Sequence, residues 1–407
     1  MAFTTALSGV NAAQSDLDVI SNNIANSSTT GFKSGRAEFG DVYAQSLLGT
    51  TTPTPGQGVK VAGIAQQFSQ GDLEFTNNAL DVAINGDGFF QVSDNGVIEY
   101  TRAGSFQTDK DGYIVTVGNA RVQGFQVDAT TGAVTGNIGD IQTQNSLLDP
   151  KATTTATITG NLDSREAVPA AFNHLDSSTY NATTSIAVFD SLGNSHTLDV
   201  YFRKTGANTY DVYSFLDGTS TTANATTAAV TGLPFTTAGA YDPTGNKGTV
   251  TLNATPAGAD ALAISLDMTG FTQYGTNFAV NTSTQNGYSA GQLASLEVNE
   301  YGLVSARYSN GISKAMGQFA LADFQNVNGL QPVGNTNWIE TFKSGMPTLN
   351  KACNANLGLI HGFALEQSNV QITQELVDLI VAQRNFQANA QVVQAEDAIT
   401  QTIINMR

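Results

Sequence analysis

The chain has 407 residues, enough for two or three domains, and 41% of them are hydrophobic. A net charge of -17 and a pI near 4.3 argue against nucleic acid and anionic lipid as partners, and a single cysteine excludes an internal disulfide framework. No stretch approaches the roughly 18 unbroken apolar residues of a membrane span, and Met1-Ala2-Phe3 lacks the basic start and apolar core of a cleavable signal peptide.

The first element in chain order is a helix. Phe3, Ala6, Val10, Ala13, Leu17, Ile20 and Ile24 recur in unbroken steps of three and four, a narrow a/d seam that requires a helical partner. Ser, Thr, Asn, Gln and two Asp fill the positions between, so intrinsic propensity is low and order is expected only where something packs against the seam. The pattern stops after Asn26 at Ser27-Ser28-Thr29-Thr30-Gly31. Phe39, Val42 and Tyr43 then mark an irregular connecting segment, the stretch from Gly49 to Gly58 reads as a flexible linker, and Val59 to Ile64 alternates like a strand.

From Asp72 to Asp149 the signal is β. Leu80 to Ile84 alternates, Gly86-Asp87-Gly88 turns, and Asp94-Asn95-Gly96 and Asp111-Gly112 are hairpin signals. Near Pro150 the composition shifts to Thr, Ala, Asn and Gly. Strands are expected at Ala156–Ile158, Thr184–Phe189, Thr197–Phe202 and Tyr210–Phe215, with Asp190-Ser191-Leu192-Gly193-Asn194 joining two of them. This region reads as a β-barrel or sandwich inserted between residues 150 and 288, because the earlier β character returns beyond Gly291. The chain thus nests like brackets. Terminal helices (1–30 and 364–407) enclose connectors (31–71 and 346–363), which enclose a first β domain (72–149 and 289–345) and the insertion (150–288). Hinges are expected at Gly49, Gly58, Pro150, Gly287 and Gly345.

The last helix begins at Ile372. Ile372, Leu379, Phe386 and Val393 stand at strict seven-residue intervals, with Leu376 and Ala390 at alternate seam positions and the polar Gln383 and Asp397 at the remaining ones. A second apolar stripe, including Val377, Ile380, Val392 and Ile399, lies beside the first. One helix with two apolar faces needs more than one neighbour. Two readings stand: a helical hairpin closing one domain, or self-assembly in which the termini of many copies pack together. Residues 1–36 carry no net charge and residues 370–407 carry -2, so the middle holds about -15 of the total -17. Neutral ends suit dense packing, whereas an acidic middle is better kept facing water.

Both ends resemble a known family. Ala6-Leu7-Ser8-Gly9, Leu17-Asp18-Val19-Ile20, Asn22-Asn23-Ile24-Ala25-Asn26 and Thr30-Gly31-Phe32-Lys33 look like the amino-terminal signature of the bacterial flagellar axial proteins of rod, hook and hook–filament junction. Leu365-Glu366, Ser368-Asn369-Val370, Glu375-Leu376 and Gln383-Arg384-Asn385-Phe386-Gln387 resemble the carboxy-terminal one, with Phe386 where Tyr is commoner. An insertion the size of residues 150–288 makes the hook type the closer match and the distal rod type the alternative. The resemblance implies terminal helices forming an inner tube with β domains outside, and a homopolymer that transmits torque from rod to filament. It also implies contacts with the distal rod protein, the hook cap and the junction protein, and export through the flagellar type III apparatus without cleavage. A secreted β-rich adhesin with a helical stalk is the competing class; it would form closed oligomers rather than open tubes.

Nothing in the sequence assembles catalytic chemistry, a metal site or a cofactor site. His174, His196 and His361 lie in unrelated contexts, Cys353 has no evident base, and Asp109-Lys110-Asp111-Gly112 lacks the remaining ligands of a calcium loop. The segment around Cys353 departs from the family pattern, and either a repacked connector, or a reactive thiol or intersubunit cross-link, accounts for it.

Overall fold

The computed structural model describes residues 2–42, 56–128, 131–143, 147–222, 225–354 and 356–405, in two compact units. One comprises residues 1–145, 295–307 and 313–407; the other comprises 146–294 and 308–312. Tyr43 and Gly49, assigned above to a connecting segment and a linker, lie outside the described residues. The fold is mostly β, with one long helix near each end, as expected from the two hydrophobic periods.

In the first unit, α1 (Ala2–Ala25) packs along α2 (Ile372–Asn405) and against a hairpin of β1 (Gly35–Asp41) and β2 (Val59–Gln66). The return half of the chain pairs with the outgoing half. β3 (Leu73–Phe75) pairs with Ala364–Glu366, β4 (Val82–Asn85) with Leu359–Gly362, and β5 (Phe89–Asp94) with Leu321–Asp323, all antiparallel. β5 continues into β6 (Val97–Thr101) through Asn95 and Gly96, both at positive φ (49° and 90°), as the Asn-Gly signal requires. The core holds Val82, Ile84, Phe90, Val122, Phe319 and Ile360, with Phe90 edge-on to Phe106 at 5.2 Å. A second cluster forms where Phe68, Phe89 and Trp338 meet at 5.6–5.7 Å.

Two expectations are corrected. Residues 35–41 are a strand: GRAEFGD has no alternating apolar pattern, and its order comes from main-chain pairing with β2 rather than from burial. Residues 346–363 are not a bare connector. Thr348–Asn350 adds to the strand Leu321–Asp323, Leu359–Gly362 adds to β4, and Leu357 and Ile360 enter the core. Small residues allow this close approach: Gly358 sits where a Cβ would strike the Asn85 carbonyl. Cys353 is exposed in this segment, in a turn with φ 63°.

The second unit contains two five-stranded sheets sharing one core of Ile158, Val188, Phe202, Tyr210, Leu266 and Phe271 among others. Strands at Ala182–Phe189, Ser195–Gly206 and Thr209–Leu216 build one antiparallel meander. Thr155–Asp163 organises the other, running parallel to Leu262–Asp267 and Phe271–Tyr274 and antiparallel to Ala279–Gln285. The unit is entered and left through a short ladder in which Leu148 bridges Gly291 and Lys151 bridges Tyr288. Pro150 and Gly287 stand next to the Lys151–Tyr288 bridge, and a Cβ on Gly287 would stand 2.9 Å from the Lys151 carbonyl oxygen.

Candidate functional site

The site has two parts, a helix pair and the joint beneath it. α1 turns Ala6, Ala12, Ala13, Val19 and Ile20 inward. Small side chains let the helices approach closely: a Cβ on Gly9 would lie 2.7 Å from the Asn389 side-chain oxygen. On α2 Ala382 is buried, while Leu379, Phe386 and Val393 are partly covered. Ile372, Leu376, Val377, Ile380, Val381 and Val392 are about half exposed, and Gln383 and Arg384 are exposed. Within one chain, α2 thus uses only part of its heptad seam. On α1, Val10, Leu17 and Ile24 are partly covered and Phe3 is exposed.

Acidic groups meet between the helices. Asp16 is raised above the usual carboxylate range by burial and by the charge of Asp378. Burial also raises Glu375, against a hydrogen bond donated by the Asn23 amide at 3.1 Å. The helix pair therefore carries unfavourable negative charge of its own.

Below the helices, the signature residues form the joint. Asn23 donates to the Gly35 carbonyl and accepts from the Gly35 N–H at 2.8 and 2.9 Å, folding the chain back after α1. The Asn26 amide donates to the Asn22 carbonyl at 2.9 Å, closing the last helical turn, while Asn22 and Ala25 face solvent. Asn369 accepts from the Ser34 N–H at 2.8 Å and donates to the Gln67 carbonyl at 2.7 Å, tying both strands of chain to the start of α2. Ser368 accepts from the Val370 N–H at 3.3 Å, and Phe32 is half-buried between Gly31 and Lys33, both buried.

At the centre lies a charge cluster that sequence reasoning did not find. Lys33 Nζ donates to Glu366 at 2.6 Å and to the Ser69 carbonyl at 2.8 Å, and the Lys33 and Glu366 side chains are wholly inaccessible to solvent. Arg102 donates to the second Glu366 oxygen at 3.3 Å, and the Gly71 N–H to the first at 2.9 Å. Burial lowers the pKa of both Lys33 and Arg102, opposed in each case by Glu366. Three segments distant in sequence are thus pinned to one carboxylate.

Gly31 completes the joint. Its φ is 69° and its N–H donates to the Glu366 carbonyl at 2.8 Å, while an added Cβ would lie 2.5 Å from the Ala103 nitrogen. Gly31→Ala is expected to cost about 1–3 kcal/mol in strain and displaced backbone. A lower urea midpoint by fluorescence of Trp338, the sole tryptophan and a residue of this unit, would register that loss.

The hinge positions fare differently. Gly58 has φ 103° and abuts Ser8 of α1, whose hydroxyl accepts from the Val59 N–H at 3.2 Å. Gly345 has φ 77° with open space around it. Among the histidines, His196 lies between Asp217 and Asp190, 3.3 Å from the latter, and its hydrogen bond to Asp217 raises its pKa. Asp190 is pulled upward by burial, yet donors from Asn194, His196 and Leu192 hold it down at about 2. This trio closes a hairpin; among the described residues no group of His, Cys, Asp or Glu has metal-binding geometry, and no helix is long and apolar enough to cross a membrane.

Comparison with known proteins accounts for this arrangement. Residues 3–33 match the flagella basal body rod protein family and residues 362–406 the flagellar basal body rod FlgEFG protein C-terminal family. Between them, residues 83–160 match the flagellar hook protein FlgE/F/G D1 domain and residues 161–288 the flagellar basal body protein FlaE D2 domain. The flagellar hook protein FlgE of Salmonella typhimurium is 41% identical over 416 residues, covering 100% of both chains. That of Escherichia coli K12 is 40% identical over 414 residues, again 100% of both, and that of Borreliella burgdorferi 31% over 99% of this chain and 98% of its own. The crystal structure of Helicobacter pylori flagellar hook protein FlgE2 shares the fold, with a TM-score of 0.55 and 14% identity over 72% of this chain and 100% of that one. With both terminal signatures, both β domains and full-length relatives in agreement, the chain belongs to the flagellar hook protein family and its role is that of a structural subunit.

Proposed function

We propose that many copies of this chain polymerise into a flexible tube that carries torque from the motor's rod to the filament. The observation that carries this reading is the exposed apolar face of α2, where Ile372, Leu376, Ile380 and Val392 remain about half open after α1 has docked. Sister helices would cover it, with Phe3, Val10, Leu17, Ile20, Ile24, Leu379, Phe386 and Val393 completing an inner wall. At 1.5 Å per residue the 24- and 34-residue helices span about 36 and 51 Å. The acidic β units would face outward, where polar contacts exchange with water at small cost as the tube bends. The ends of such a tube would meet the distal rod protein, the hook cap and the junction protein, and the subunit would reach them by type III export. The work asked of the chain is mechanical rather than catalytic.

Electron microscopy of the purified protein at high concentration tests this: open tubes are expected, and small closed oligomers would overturn it. Deleting residues 150–288 should leave tubes of altered curvature or stiffness. Loss of all assembly in that deletion would move the essential contacts outward.

A further inference from the structure

The first unit presents an apolar turn that none of the described residues covers. Phe342 is 104% exposed and Met346 is 86% exposed, with the cation Lys343 between them. The turn is nevertheless firmly held. The buried Ser344 hydroxyl donates to the Thr341 carbonyl at 2.8 Å and accepts from the Thr341 N–H at 2.9 Å. The Thr341 hydroxyl donates to the Gly329 carbonyl at 2.6 Å, and the Asn326 amide to the Lys343 carbonyl at 3.0 Å. Rigid presentation of a bare aromatic side chain is what a binding anchor needs, because little conformational entropy remains to be lost.

The same unit contains a cleft of about 1250 Å³ between the second half of α1 and the edge of the β body. That exceeds the roughly 300–1,000 Å³ of small-molecule pockets and suits a protein segment. Val19, Ile64, Val117 and Val333 line it, and Asp18, Asp94 and Glu99 add negative charge that complements Lys343. Trp338 also lines the cleft, and its indole N–H is buried with no acceptor among the described residues.

We propose that the Phe342–Met346 turn of one copy seats in this cleft of a second copy, with Lys343 facing the carboxylates. Because turn and cleft are different surfaces of one chain, the contact is heterologous and propagates into an open helical array instead of closing on itself. The inference rests on the polymer reading above and assigns one of its contacts.

The test is a cysteine pair in the assembled protein. With Cys353→Ser removing the native thiol, Phe342→Cys combined with Val333→Cys should give a ladder of disulfide-linked chains when tubes are oxidised. Phe342→Ser should raise the protein concentration needed for assembly at least tenfold while leaving the urea midpoint reported by Trp338 unchanged. Lys343→Glu should raise it too, and adding Asp94→Lys should recover assembly. Intact tubes without the cross-link, wild-type concentration dependence in Phe342→Ser, or the same disulfide forming inside dilute monomers would each overturn the contact alone. Failure of the wild-type chain to form tubes would instead remove the polymer reading and this contact with it.

Discussion

Glu366→Leu is expected to destabilise the helix-bearing unit by at least about 3–5 kcal/mol, the usual cost of leaving buried charge uncompensated. Among the described residues Glu366 is the sole anion bonded to Lys33 and Arg102, both almost wholly inaccessible. Without it, two cations share a low-dielectric site in which the Ser69 carbonyl, the charge of Asp87 and the Phe89 ring, 5.3 Å from the guanidinium, are left as favourable partners. Arg102 cannot shed its proton; Lys33 can.

That difference gives the variant a pH signature. Burial already holds the Lys33 pKa below its unfolded value, and losing Glu366 removes the attraction that opposes this. The unfolded chain then binds more protons than the folded one from the lowered pKa up to the ordinary lysine range, so stability must rise with pH across that window. The deficit of Glu366→Leu relative to wild type should therefore shrink as the solution is made alkaline. Urea midpoints followed by Trp338 fluorescence measure it. The triple variant Lys33→Met, Arg102→Leu, Glu366→Leu separates charge from packing, since an apolar cluster of similar volume is often as stable as the ions it replaces. A deficit that does not change with pH, or a triple variant as unstable as the single one, would reduce the cluster to ordinary packing.

This cluster also shows where sequence reading stops. The terminal helices were legible because a seam repeats, and the hairpins at Asn95-Gly96, Asp111-Gly112 and Asp190–Asn194 because positive φ demands particular residues. Lys33, Arg102 and Glu366 have no such periodicity. Each is an isolated charge, and only the pairing of β3 with Ala364–Glu366 brings the last of them under the first two. The signature around Gly31–Lys33 marked the place by family likeness without saying that it was buried.

The strand at residues 35–41 and the pairing of residues 346–363 were illegible for a related reason. Both are ordered by hydrogen bonds to distant main chain, which leaves little trace in side-chain pattern. On α2 the heptad repeat is plain in the sequence, yet among the described residues the chain offers α2 one partner helix. Which positions α1 covers depends on small residues such as Gly9 and Ala13 that set how closely the helices approach. The half-exposed Ile372 and Leu376 belong to whatever covers α2 elsewhere.

Leu379→Asp should abolish tube formation while leaving the β bodies folded. Leu379 is half-buried on α2, one residue from Asp378 and one turn from Glu375, both of which act on residues of α1. A fourth carboxylate would join Asp16, Glu375 and Asp378, of which Asp16 and Glu375 are already raised by burial and by neighbouring negative charge. Loss of a half-buried leucine's contacts contributes about 1–2 kcal/mol and a charge partly removed from water adds more. A helix pair of low intrinsic propensity has little stability to absorb this, whereas the core cluster around Phe90 contains no residue of either helix and the one around Phe202 lies in the other unit. The expected result is a monomer whose Trp338 emission and far-UV β signal match wild type, whose helical signal is reduced, and which forms no tubes by electron microscopy at concentrations where wild type does. Lowering the pH toward the carboxylate range should restore part of the helical signal, because the folded-state carboxylates are raised and protonation relieves their repulsion. Normal tubes from Leu379→Asp at neutral pH would show that the inner wall is built from some other face of α2.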